Sequence, residues 1–453
     1  MAQPRADGPA GDARRRADLI ARGRWEEADR LAERVGADAV DLAGLVYVPG
    51  GEALAPGTAA HPVGGSRLEG RERALKALLL ANRGVDRAVA VESALAVLES
   101  PARLDVVCFW TSVMVLTFAD ELEHAQAACD RVEESPEWTG TAACRDTVGL
   151  LRARIHTMSG RTEEAIDLLL VLLSSGGLGR LTGLAVAWAV SLLADRGEVA
   201  AANDLLEGNG FTGSMDGAPD RAELLAARGG LHLSGGNFER GLDDFLACGR
   251  ELDARAVSNS AVIAWRTGAA LCAAAIERRD LAFALANEDA ARAATWATPR
   301  RLAVALHVLA VARRAPRSVD LLKEAVALLD GLSCPELYRA GHDLAVLLGE
   351  QGELAEARSV LESARQVAER GGNAFWAKRL ETAVRQLGVS DAVPLTRQEL
   401  AAAKLARAGY SNKQIAEKQM VTPRMVELHL SSVYRKLGLS GRLDLALTMT
   451  LGD

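Results

Sequence analysis

The chain has 453 residues, enough for two to four domains with a substantial core. Its composition is 49% hydrophobic, 25% charged and only 4% aromatic, with Ala, Leu, Arg and Gly dominant, which favours helices and excludes a low-complexity or collagen-like chain. The formal charge of −7 is uneven: residues 391–453 carry nine Lys/Arg against six Asp/Glu, so the remainder is acidic, a distribution that confines any electrostatic nucleic-acid contact to the tail.

The N-terminal stretch MAQPRADGPAGDARRRADL is basic but has no apolar segment of the kind a signal peptide needs. No run of about 18 uncharged apolar residues suggests a membrane span. The six cysteines form no CxxC pair and read as buried, reduced thiols, so the expected location is cytoplasmic.

A short signature recurs along the chain: a Gly or turn residue followed five positions later by a small residue. It appears at Gly23–Ala28, Asp120–Ala125, Gly160–Ala165, Gly197–Ala202, Gly236–Gly241, Arg279–Ala284 and Gly352–Ala357. The starts from 120 to 279 are 37–43 residues apart, and the longer gap before 352 leaves room for one more unit near RSVDLLKEA. Each signature lies between two stretches with apolar residues at i, i+3, i+4 and i+7, such as GLAVAWAVSLLAD before and EEAIDLLLVLL after. Glycine supplies the left-handed turn between paired helices, and the small residue lets them approach closely. The pattern resembles tetratricopeptide-type repeats with a lengthened period, which implies a superhelix with a concave face. Segments 44–67, 174–183 and 207–220 read as Gly/Pro-rich loops.

Four helices are expected in the tail. Thr396 with Glu399 is a capping box that opens the first, and Gly409 ends it. Ser411 with Gln414 opens a short second helix through Lys418, and Gln419–Val421 makes the turn. Thr422 caps the third, with Pro423 at its first position, a buried stripe of Val426, Leu430, Val433 and Leu437, and Gly438 at its end. A fourth runs from Arg442 to about Leu451, apolar enough at Leu443, Leu445, Ala446, Leu447 and Met449 to contribute to pairing of two copies.

Two short helices about a tight turn make a helix-turn-helix. The tail resembles the LuxR-type (NarL/FixJ-like) DNA-binding domain through LT-x-x-E, G-Y-S-N-K-Q-I-A, P-x-x-V-x-x-H-L and Y-R-K-L-G at the family's spacing. It departs at Gln398, Ala401 and Met425, where the family usually has Arg, Glu and Thr. The resemblance implies that the third helix, 422–437, enters the major groove of double-stranded promoter DNA. Arg424, Glu427, Leu428 and Ser431 would then face base edges, and Lys413, Thr422, Arg435 and Lys436 would meet phosphates. It also implies a homodimer on DNA, with RNA polymerase as a further partner.

The ATPase carried by large members of that family is not expected, because a Walker A loop needs a Gly-Lys dipeptide and none occurs. Gly208–Gly213 matches GxGxxG but follows a helical segment, AAANDLLE, rather than a strand. There is no HExxH, no metal-ligand spacing among the histidines, His429 included, and no GxSxG elbow. No cofactor, metal or catalytic residue is expected, and the chain reads as no enzyme. The expectation is an all-α protein: a TPR-like body at 1–387, a linker at 388–394 and a helix-turn-helix domain at 395–453. Its function would be DNA-binding transcription regulation, with the body receiving a protein, peptide or small-molecule signal. The alternative is a protein-binding scaffold with a vestigial tail.

Overall fold

The computed structural model describes residues 65–100, 105–140, 142–215, 218, 220–313, 318–332, 334–387, 395–437, 439, 441–442 and 445. The signature at Gly23–Ala28, the linker and most of the fourth tail helix lie outside these. Of the expected 44–67 loop, the final residues already belong to a helix, Gly65–Arg83. The regular elements among the described residues are all helical, with no strand.

The body is a succession of helical hairpins, each helix packing mainly on its neighbours in sequence. Six hairpin turns share one backbone solution. Asp120, Gly160, Gly197, Gly236, Glu277 and Gly352 adopt positive φ between 60° and 83°. In each case the next residue's N–H donates to the carbonyl five residues back, from Glu121 to Leu116 through Glu353 to Leu348, at 2.8–2.9 Å. These bonds satisfy carbonyls that the ending helix would otherwise leave unpaired. The second helix begins two residues after each left-handed residue, as at Thr162, Phe238 and Leu354.

One register needs correction. The unit placed at Arg279–Ala284 turns at Glu277 instead, two residues earlier, and its small residue is the buried Ala282; Ala284 is exposed. The absence of glycine hid this turn in the sequence. With that shift, Ala125, Ala165, Ala202, Gly241, Ala282 and Ala357 are all buried equivalents. Gly241 shows why the position stays small: a Cβ there would meet Cys272 Sγ at 2.9 Å and the Gly229 carbonyl at 3.1 Å. The additional unit near RSVDLLKEA is the helix pair Pro299–Arg313 and Ser318–Leu328.

The array curves back on itself. Trp296 is fully buried and its indole N–H donates to the Phe118 carbonyl at 2.6 Å, 178 residues away. Asn259 reaches the Ala81 carbonyl at 2.7 Å across the same separation, and Arg300 pairs with Asp120 at 2.9 Å across 180 residues. Asp120 therefore occupies a left-handed position that favours glycine while supplying a carboxylate to the facing segment. A buried polar cluster lies nearby: Arg301 pairs with Asp289, which is wholly buried, and donates to Ser260 at 3.0 Å and Thr267 at 2.6 Å.

Of the six cysteines, five are buried and Cys144 is half-buried. Burial pushes the Cys129, Cys272 and Cys334 thiols up to about 12, so they are poor nucleophiles.

Candidate nucleic-acid interface

The tail is built on side-chain caps. Thr396 Oγ1 accepts from the Glu399 amide at 3.2 Å while Glu399 accepts from the Thr396 amide at 2.7 Å, opening the helix Arg397–Arg407. Ser411 and Gln414 make the same reciprocal pair ahead of Asn412–Gln419. Met420 turns the chain with φ 53°, and Thr422 Oγ1 accepts from the Met425 amide at 3.2 Å to open Pro423–Leu437. The two capping boxes and the Gly409 stop thus stand where the sequence placed them, while the second helix runs one residue further than expected, to Gln419. Ala402, Ala406, Ile415, Val426, Leu430 and Val433 form the small core of this unit, joined by Leu445.

Burying Val426, Leu430 and Val433 turns the opposite face of the third helix outward. Arg424, Glu427, Leu428, Ser431 and Arg435 are all exposed there, at the i, i+3, i+4, i+7 and i+11 spacing of a single stripe. Arg424 and Glu427 form an exposed ion pair at 3.0 Å, so each is held over the same turn of the helix. Lys413 and Thr422 are exposed at the starts of the second and third helices. Seven of the eight candidate contact residues are therefore solvent-facing.

Lys436 is the exception. Its Nζ lies 2.6 Å from Glu399 Oε2, with the two side chains only 15% and 8% exposed. At one turn past Val433 the residue sits on the flank of the apolar stripe, and its ammonium tethers the third helix to the first instead of projecting toward a ligand. The Lys436 ammonium, with the Thr396 amide and the Ser432 hydroxyl, holds the Glu399 carboxyl down at about 2. Lys418 is also occupied, its ammonium lying 4.5 Å from the centre of the Tyr410 ring.

Residues 393–449 match the family described as "Bacterial regulatory proteins, luxR family". The C-terminal unit is a LuxR-family helix-turn-helix domain. Among curated proteins, this segment is similar to a protein of Mycobacterium bovis and to one of Mycobacterium tuberculosis, each named a "Putative HTH-type transcriptional regulator". Each is 47% identical over 51 residues, a match that spans 11% of this chain and 6% of the relative. The chain thus shares only a small fraction of those relatives' length, and the likeness concerns the LuxR-type unit alone.

The body contributes a second feature. A cavity of about 410 Å³ lies along the inner wall of the curved array, lined among others by Arg154, Trp188, Phe245, Arg300, Arg301 and Trp376. Arg154 stacks its guanidinium over Trp188 at 5.6 Å, and Trp188 lies parallel to the buried Trp110 at 6.3 Å. Sequence reading did not locate this cavity, because its walls come from helices more than a hundred residues apart. No helix of the described residues is long and apolar enough to cross a membrane, and no group of three or more His, Cys, Asp or Glu is placed there to hold a metal ion.

Proposed function

We propose that the protein is a sequence-specific transcription regulator whose LuxR-type domain binds double-stranded promoter DNA through Pro423–Leu437. The observation that carries this reading is the outward stripe of Arg424, Glu427, Leu428, Ser431 and Arg435 on the third helix of a LuxR-family domain. Arg424 is suited to guanine and Glu427 to the amine of cytosine, while Leu428 and Ser431 complete the base-facing set. Lys413, Thr422 and Arg435 flank that set and take the phosphates. Lys436 acts on DNA only indirectly, by fixing the recognition helix against Glu399.

The body, with its TPR-like succession of hairpins, serves as the receiver of a protein, peptide or small-molecule signal. Its inner cavity supports this reading, since apolar side chains such as Trp188, Phe245 and Trp376 would cover a small ligand while charged ones such as Arg154, Arg300 and Glu336 would orient it. Two copies meeting on DNA would address half-sites about one helical turn apart, with RNA polymerase as a further contact. Signal transmission requires the ligand to favour the DNA-competent arrangement, because equal affinity for both arrangements shifts nothing.

The test is selection of duplexes from a random library by the full-length protein, followed by titration of the enriched sequence at several salt concentrations. Enrichment of one motif, with affinity falling about 0.9 log units per log unit of salt for every phosphate neutralised, is the expected result. No enriched motif would leave the domain without a reading function.

A further inference from the structure

The recognition face carries more apolar surface than its polar residues need. Three large apolar side chains of the tail lie open to solvent: Met420 at the turn, 92% exposed, Met425, 41% exposed, and Leu428, 52% exposed. Met425 and Leu428 are three residues apart, so their side chains adjoin on the first two turns of the third helix. Neither belongs to the core of their own domain, which is filled by Val426, Leu430 and Val433 from the other side of the helix. A single exposed Leu needs no explanation, but an adjoining pair framed by Arg424, Glu427 and Ser431 is a small hydrophobic site inside a polar surface.

In the major groove one base feature is apolar, the C5-methyl group of thymine. The N-terminal turns of a recognition helix are the part that reaches base edges. Resting on the DNA-binding reading above, we infer that Met425 and Leu428 form a thymine-methyl receptor, and that the protein requires thymine at one or two adjoining positions of each half-site. Met425 thereby joins the specificity-determining residues. Its thioether chain, unbranched and adaptable, suits a contact with a methyl group whose height varies with local DNA shape. The paired Arg424 and Glu427 keep the flanks of this site polar, which restricts the apolar contact to the methyl-bearing base.

The experiment uses the full-length protein and the duplex it selects from a random library. Each thymine of that duplex is replaced in turn by deoxyuridine, which deletes the methyl group and leaves every hydrogen-bonding atom in place. Burying one methyl is worth about 0.8 kcal/mol, which corresponds to about fourfold in affinity. The wild-type protein should lose about fourfold at one or two positions per half-site and nothing elsewhere. Met425→Ala and Leu428→Ala, measured separately, should bind the thymine and uracil duplexes equally at those positions. Both side chains are exposed, so hydrogen exchange of peptides from 395–437 should stay at the wild-type rate in both variants, which reports an intact domain. Equal binding of all uracil duplexes by the wild type would overturn the inference while leaving DNA recognition standing, as would discrimination that persists in both variants. A change of molar mass in the variants with thymine discrimination intact would assign the pair to subunit contact and also overturn it. Failure to select any duplex would sink the inference and the regulatory reading together.

Discussion

Six helices of the body and three of the LuxR-type tail are opened by different means. In the body, six hairpins turn through a left-handed residue and a pair of backbone hydrogen bonds, and the residue before each second helix makes no side-chain cap. In the tail, Thr396, Ser411 and Thr422 each cap a helix with a hydroxyl. Charge is handled just as differently. The body buries Arg301 against Asp289 and ties Arg300 to Asp120 across the curve of the array. The tail shields the pair of Lys436 with Glu399 and turns Arg424, Glu427 and Arg435 of its recognition helix outward. A repeat array is stabilised by its neighbours and needs only a compact turn between helices. A domain of about sixty residues has few neighbours and small core area, so its own side chains must satisfy its helix ends.

The sharpest break in this comparison is expected from Arg301→Met. It leaves the wholly buried Asp289 without its cation, and breaking a buried pair in this way costs about 3–5 kcal/mol. All seven tryptophans lie outside residues 391–453, so tryptophan fluorescence during denaturation reports the body alone. Its transition should move to markedly lower denaturant, while hydrogen exchange of peptides from 395–437 stays at the wild-type rate. Equal loss of protection in both regions would show that they fold as one unit.

In the tail the largest effect should come from Lys436→Met. Losing a charge-assisted hydrogen bond of this kind costs about 1.5–3 kcal/mol, read as faster exchange in 397–407 and 423–437 with tryptophan fluorescence unchanged. The pH dependence follows from the same pair. The Glu399 carboxyl is held at about 2, below the ordinary glutamate value of 4.5, so its stabilising contribution is complete above about 4.5 and is lost as pH falls from there through about 2. Glu399→Gln should flatten the acid-induced rise in tail exchange across that window. A tail equally acid-sensitive in both proteins would remove Glu399 from the account.

The smallest effect separates the two ways of opening a helix. Ser411→Ala deletes one cap and should cost about 1 kcal/mol, confined to exchange in 412–419. A body N-cap position such as Glu198, which makes no side-chain cap, should tolerate Ala with no measurable change in the fluorescence transition. A comparable loss at both positions would erase the distinction.

Much of this contrast was legible in the sequence. Ser, Thr and Glu at capping spacing announced the first three tail helices, because caps are local chemistry. Glycine announced four of the six hairpin turns for the same reason, and Asp120 was found by its spacing. Glu277 was missed by two residues because a left-handed glutamate carries no local mark. The closure of the array through Trp296 and Phe118 was not legible, since it depends on curvature summed over about five hairpins. The inward pairing of Lys436 was not legible for a subtler reason. Its spacing puts it on the border of the buried stripe, and only the position of Glu399 on another helix decides that it turns inward.

The salt dependence of binding to the selected duplex tests the assignment of the tail most directly, comparing wild type with Lys413→Ala, Arg435→Ala and Lys436→Met. The outward residues should act on phosphates, so Lys413→Ala and Arg435→Ala should each reduce the log–log slope by about 0.9 without altering sequence preference. Lys436→Met should weaken binding yet leave the slope at the wild-type value, because its ammonium is committed to Glu399. A slope unchanged by Lys413→Ala and Arg435→Ala but reduced by Lys436→Met, or binding with no salt dependence at all, would contradict the account.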